Sequence, residues 1–346
     1  MNISRLLSVA PMMERTDRHC RYFFRLLSQQ TLLYSEMINA NAITKGNKTR
    51  LLNFSEIEHP LALQIGGSDP KLLAEATKIG VDWGYDEINL NVGCPSSRVS
   101  SGDFGAVLMK RKDHVAKCVD AMAQFSSNVP ISVKCRIAVD DQDPEEILPS
   151  FIKTVSNSGV SIFIIHARKA ILSGLSPKDN RKIPPIDYNL VKKIKTQFPQ
   201  LEICLNGEIK DLSTVMNFIN DGINGCMIGR EVYKNPSKIL ENADEKIFKK
   251  MDLSGKSKKR TLYEALLKMI PYLESHLQKG GKASSVLRHL INSVSGLEGA
   301  KLFRSTLSEN MNKKNQPEIF EKALKLVNFT DKKTDVEGTQ FESGLV

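Results

Sequence analysis

A chain of 346 residues with 41% hydrophobic content can bury a large core, and its length suits one large domain with a small second one. Its formal charge of +10 points to a polyanion or an acidic surface as partner. No apolar run nears the roughly 20 residues of a bilayer span, the opening residues lack a signal-peptide layout, and the six cysteines form no CxxC pair. These features exclude a membrane protein, a secreted disulfide scaffold and a zinc module, leaving a cytoplasmic protein as the expectation.

Eight apolar runs rich in β-branched residues follow one another at 6–10, 32–35, 61–65, 87–90, 129–135, 160–165, 201–205 and 223–228. Such continuous runs suit strands buried on both faces. Segments 70–80, 112–125, 143–157, 188–197 and 212–221 between them carry helical periodicity, several with an Asp or Ser start and a Gly or Asn stop. Eight strand–helix repeats predict a (β/α)8 TIM barrel over residues 1–240. Beyond Asn235-Pro236 the pattern becomes wholly helical, predicting a small all-helical domain over 241–330 behind a lysine-rich connector at 246–260. Leu262, Leu266, Ile270, Leu273 and Leu277 form one apolar stripe with Pro271 as a kink, and further helices are predicted at 286–294 and 319–327. Residues 331–346 read as a polar, disordered tail. Between Lys246 and Arg304 stand 13 Lys/Arg against four Asp/Glu, which favours a nucleic-acid footprint over a solvated helical face.

Barrel chemistry sits at the carboxyl ends of the strands, and here all eight ends carry polar or turn-forming residues. They are Pro11-Met12-Met13, Glu36, Gln64, Asn89 and Asn91 before Gly93-Cys94-Pro95, Lys134 and Arg136, His166 and Arg168, Asn206-Gly207, and Gly229-Arg230. Any one of them could be a cap or a rim ion pair; their convergence from every strand is harder to explain structurally. The loops after strands seven and eight commonly bind phosphate in barrels, which implies a phosphate-bearing cofactor with Arg230 adding charge. A flavin accounts for Gln64 and Lys134 as well, where a sugar phosphate would not. Cys94 is the one cysteine in an exposed-looking turn. No His/Asp/Glu cluster has metal-ligand spacing.

Together these residues resemble the tRNA-dihydrouridine synthases, and among them the bacterial A-type subfamily. The matching segments are Ala10-Pro11-Met12-Met13 with Thr16-Asp17-Arg18-His19-Cys20, Leu63-Gln64-Ile65-Gly66-Gly67 and Asn91-Val92-Gly93-Cys94-Pro95. Val133-Lys134, His166-Ala167-Arg168-Lys169-Ala170, Gly174-Leu175-Ser176-Pro177-Lys178, Asn206-Gly207 and Ile228-Gly229-Arg230 complete the set, between about residues 6 and 326. The resemblance implies FMN held by Pro11, Met12, Met13, Gln64, Lys134, His166, Asn206, Gly207, Glu208, Gly229 and Arg230, with NADPH as its usual reductant. It implies D-loop uridines of tRNA near positions 20 and 20a as substrate, with Asn91, Lys178, Arg181, Lys301 and Arg304 against the tRNA. Arg168 is expected to orient the nucleotide.

A hydride would reach uracil C6 from the flavin, and Cys94 would protonate C5. Thiols, with an ordinary pKa of about 8.5, keep their proton at neutral pH yet can release it. The target base must be flipped out of the folded tRNA. Lys134 and His166 are expected to steady charge on flavin and uracil, and the protein is expected to be monomeric.

The chain departs from the family pattern at Glu14-Arg15, at Glu208 in place of a second glycine, at Cys135 between Lys134 and Arg136, and at Lys301 where arginine is common. A glutamate in the phosphate turn is electrostatically unfavourable. Two other readings remain open: a flavin barrel reducing a small free metabolite, and an RNA-binding protein without catalysis.

Overall fold

Eight parallel strands close on themselves in sequence order: Leu7–Val9 (β1), Leu32–Asn39 (β2), Leu61–Gly66 (β3), Glu87–Val92 (β4), Ile131–Arg136 (β5), Ile162–His166 (β6), Glu202–Asn206 (β7) and Gly225–Ile228 (β8). This computed structural model describes residues 3–96, 99, 102–249, 260–311, 313 and 315–329. The ring is sealed where Leu7, Ser8 and Val9 pair with Cys226, Met227 and Ile228. All eight apolar runs are strands. β2 continues past the run that announces it, because Met37, Ile38 and Asn39 pair with Gln64, Ile65 and Gly66 beyond a register shift. Ser35-Glu36, which interrupts the apolar pattern, sits at that shift, and the Ser35 hydroxyl accepts the Gln64 N–H at 3.0 Å.

Five of the surrounding helices, Pro70–Trp83, Lys112–Ala123, Pro144–Ser156, Tyr188–Gln197 and Leu212–Asn220, fall where periodicity predicts them. Aspartates cap four of the five: Asp69, Asp143, Asp187 and Asp211 each accept from backbone N–H groups two or three residues ahead. Helix Arg18–Leu27 buries the stripe Cys20, Phe23, Phe24 and Leu27, and two arginines on its other side are interior as well. Arg21 pairs with Glu58 at 2.8 Å, and Arg25 donates to the carbonyls of Ser28, Thr31, Glu58 and Pro60.

The barrel interior divides in two. One part is apolar, built from Ala10, Leu32, Tyr34, Ala62, Ile162, Ile164, Cys204 and Met227. The other is a polar column that begins at buried Glu87, which accepts from Arg5 Nε at 2.7 Å, Tyr34 at 2.5 Å and Ser132 at 2.5 Å.

Helices Leu262–Gln278, Ala283–Leu290, Ala300–Glu309 and Gln316–Leu324 follow the barrel, with Pro271 inside the first. Leu262, Leu266 and Leu273 are buried, and Ile270 and Leu277 pack partly buried beside them, all in the hydrophobic cluster that also coats the barrel. Much of the connector at 246–260 and all of 330–346 lie outside the described residues, as do the expectations that fall there. No helix among the described residues is long and apolar enough to cross a membrane.

Candidate active site

The polar column leads to the cysteine. Asn89 Nδ2 donates to Ser132 Oγ at 2.7 Å, Gln64 Nε2 to Asn89 Oδ1 at 2.7 Å, and Asn91 Nδ2 to Gln64 Oε1 at 2.8 Å. Asn91 Oδ1 then accepts the backbone N–H groups of Gly93 at 3.1 Å and Cys94 at 3.0 Å. Every donor points toward Glu87, so each bond polarises the next. Strand periodicity makes this possible: Glu87, Asn89 and Asn91 alternate along β4 and face the barrel interior together.

Cys94 is the one cysteine that is not buried. Its carbonyl accepts from Ala106 N at 2.9 Å, and Arg136 Nε holds the preceding Gly93 carbonyl at 3.1 Å. Arg136 also donates to the carbonyls of Lys169 and Asn180, tying the cysteine turn to the 169–181 segment. It is buried with no carboxylate partner among the described residues, and burial pulls its pKa down to about 10, with Arg181 and Arg168 adding to the fall. The rim is therefore strongly cationic. Lys134 donates to Asn206 Oδ1 at 3.0 Å, and burial, helped by Arg136, lowers its ammonium to about 8. Burial, followed by the fields of Arg136, Lys134, Arg168 and Arg230, pushes His166 well below its ordinary value. His166 is thus a neutral imidazole, offering a hydrogen bond where charge stabilisation was expected of it.

The strand seven and eight ends lie side by side at the rim. Asn206 donates to the Met227 carbonyl at 2.8 Å, joining β7 to β8. Gly207 has φ 128, and a Cβ there would meet the His166 ring at 3.1 Å. Glu208 holds φ 52, a left-handed conformation that costs a non-glycine residue about 1 kcal/mol. Its carboxylate pairs with Arg168, with Lys210 also 3.8 Å away. The N–H groups of Gly207, Glu208, Gly229 and Arg230 find no protein acceptor among the described residues, and the Arg181 Nε is buried without a partner. Four N–H groups beside the Arg230 guanidinium are a donor set that suits a phosphate monoester.

The other expected contacts divide. Pro11 and Met12 are half-buried at the rim, whereas Met13 is 56% exposed. Gln64 and Asn91 have their amides engaged within the column. Arg168 is interior, held by Glu208 and by the carbonyls of Lys182 and Pro184, so it braces the wall instead of reaching into the mouth. Arg181 lies in the 169–181 segment with Lys178, which is exposed. Lys301, exposed, and Arg304, half-buried, lie on helix Ala300–Glu309 with no acidic partner among the described residues. Sequence reasoning gave no role to Arg136, Asn89, Ser132 or Glu87. The alternation of polar residues along β4 was the signal that could have found two of them.

A family model described as dihydrouridine synthase matches residues 8–330. A tRNA-dihydrouridine(20/20a) synthase from Synechocystis sp. is 47% identical over 324 residues, covering 93% of this chain and 95% of that protein. The protein of the same description from Escherichia coli K12 is 49% identical over 322 residues, covering 92% and 91%. In fold, the chain is similar to an old yellow enzyme homologue from Zymomonas mobilis, with a TM-score of 0.52 at 11% identity over 73% of this chain and 95% of the other.

Proposed function

Since the chain belongs to the dihydrouridine synthase family, we propose that it reduces the C5–C6 bond of D-loop uridines, at positions 20 and 20a, in tRNA. The cofactor is FMN and its reductant NADPH. The observation that carries the reading is the convergence of Cys94, Lys134, neutral His166 and the acceptor-free N–H groups at 207–208 and 229–230 on one barrel rim. Asn206, Gly207, Glu208, Gly229 and Arg230 would hold the FMN phosphate. Pro11, Met12, Met13, Gln64, Lys134 and His166 would line its ring.

FMN, when bound, supplies the hydride that reaches uracil C6. Cys94 gives its Sγ proton to C5. Asn91 sets the position of the thiol by fixing the Gly93 and Cys94 N–H groups, and Arg136 fixes the same turn through the Gly93 carbonyl. Lys134 stabilises negative charge at the ring edge. His166, uncharged, orients by hydrogen bonding. Arg168 and Glu208 keep the wall of the mouth in place.

Residues 1–240 act as the catalytic barrel, and the helices of 241–330, with Lys301 and Arg304, hold the tRNA backbone alongside Lys178 and Arg181. That cationic appendage favours a base within RNA over a small free metabolite. The purified protein is expected to show the visible absorption of an oxidised flavin and, with NADPH, to form dihydrouridine in unmodified tRNA transcript. A colourless protein that cannot be loaded with FMN, or one that reduces only free uridine, overturns this reading.

A further inference from the structure

A cleft of about 410 Å³ opens beside the barrel mouth, lined by Arg15, Tyr233, Lys234, Asn235, Asn292 and Ser295. The Arg15 guanidinium lies over the Tyr233 ring, 4.8 Å from its centroid. Tyr233 belongs to the short helix Arg230–Lys234 that starts at the phosphate turn. Its hydroxyl meets His289 Nδ1 at 3.2 Å, and His289 Nε2 stands 3.0 Å from Asp17. The ring is therefore fixed from the C-terminal helices while Arg15 remains exposed, with no acidic partner among the described residues. Nearby carboxylates are engaged: Glu231 accepts from Asn235 at 2.8 Å, and Asp17 pairs with Arg288 at 2.5 Å. Asn292 and Ser295, on the far wall, belong to the segment leading into the helix that bears Lys301 and Arg304.

A guanidinium stacked on a phenol ring, with a lysine and side-chain amides around it, matches a nucleotide: the charges meet phosphate and the planar face meets a base. We propose that this cleft is a nucleotide subsite for the RNA strand flanking the uridine to be reduced, with Arg15 sandwiched between Tyr233 and a base. It rests on the tRNA reading above. The adenylate of the reductant has the same chemistry, but the RNA strand alone must also reach the Lys301 helix.

The test measures tRNA binding at equilibrium by the full-length, flavin-loaded enzyme, together with the KM for NADPH in flavin reduction. Arg15→Ala weakens tRNA binding about 5- to 20-fold and moves the KM for NADPH by less than about twofold. Arg15→Lys, which keeps the charge and loses the planar face, recovers only part of the loss. The proposal is overturned by an Arg15→Ala enzyme that binds tRNA like the wild type, by an Arg15→Lys enzyme of full affinity, or by a shift in the NADPH KM alone. A wild-type enzyme that binds tRNA in an Arg15-dependent way yet forms no dihydrouridine would defeat the functional reading and leave the subsite standing.

Discussion

Asn91 Oδ1 accepts the backbone N–H of Cys94 at 3.0 Å while its amide nitrogen donates to Gln64 at 2.8 Å. The residue expected to touch substrate is thereby the one that sets where the thiol stands. Two arms of the same side chain join the cysteine turn to the interior of the barrel.

Replacing Cys94 by alanine should lower dihydrouridine formation by about 10²- to 10⁴-fold, the usual contribution of a positioned general acid. Flavin reduction by NADPH, which does not use the thiol, should persist. Rapid-mixing absorbance for the flavin and quantification of product in tRNA separate the two steps. Product formed at the wild-type rate would remove Cys94 from the mechanism.

Lys134 carries a pH signature. Its folded-state value, about 8, lies below its ordinary 10.5, so the unfolded chain holds more protons between those limits and folding gains stability as pH rises through them. Lys134→Met should therefore stabilise the flavin-free protein at pH 7, and that advantage should shrink from pH 8 toward 10.5. Loss of the hydrogen bond to Asn206 offsets about 1 kcal/mol at every pH. Thermal melts across this range check the slope, and uridine reduction by the variant should fall about 10²-fold.

Glu208→Gly sets two effects against each other. Relief of the left-handed backbone gains about 1 kcal/mol. Losing the charged hydrogen bond from interior Arg168, which keeps its two carbonyl partners, costs about 1.5–3 kcal/mol. The flavin-free protein should melt a few degrees lower. FMN should then bind more tightly and restore more stability than it does in the wild type, because a negative charge has left the phosphate turn. Calorimetric titration with FMN measures the change; weaker binding by the variant would show that the carboxylate supports the turn.

On the face proposed to hold tRNA, Lys301→Ala and Arg304→Ala should each weaken tRNA binding and reduce the slope of log affinity against log salt by about one. Lys301→Arg should tighten it, since a guanidinium can grip phosphate with two donors. Binding isotherms at several salt concentrations report both quantities.

The barrel was readable from sequence because apolar residues recur along every strand, even along β4, where Glu87, Asn89 and Asn91 alternate with Ile88 and Leu90. The burial of Arg21 and Arg25 in helix Arg18–Leu27 has no sequence signal, since only folding supplies the carboxylate and carbonyls that receive them. The same limit hid Arg136 and the accommodation of Glu208. A sequence shows that Glu208 carries charge beside Gly207; the arginine that neutralises it comes from another strand end, 40 residues earlier. Cys94, Lys134 and Asn206 were legible because strand ends define one rim whatever the details of packing.

Asp17 caps helix Arg18–Leu27 through the N–H groups of His19 and Cys20, both at 3.0 Å, and the same carboxylate holds Arg288 and His289 of the C-terminal helices. Although burial opposes it, these partners, with His289 foremost, keep Asp17 ionised well below the usual carboxylate range. A depressed carboxyl lends stability that is present above its unfolded value of 3.8 and disappears only as pH falls through the lower, folded one. One side chain is thus a fastening shared by both parts of the chain. Barrel and appendage should melt as one cooperative unit, and mild acid should not part them.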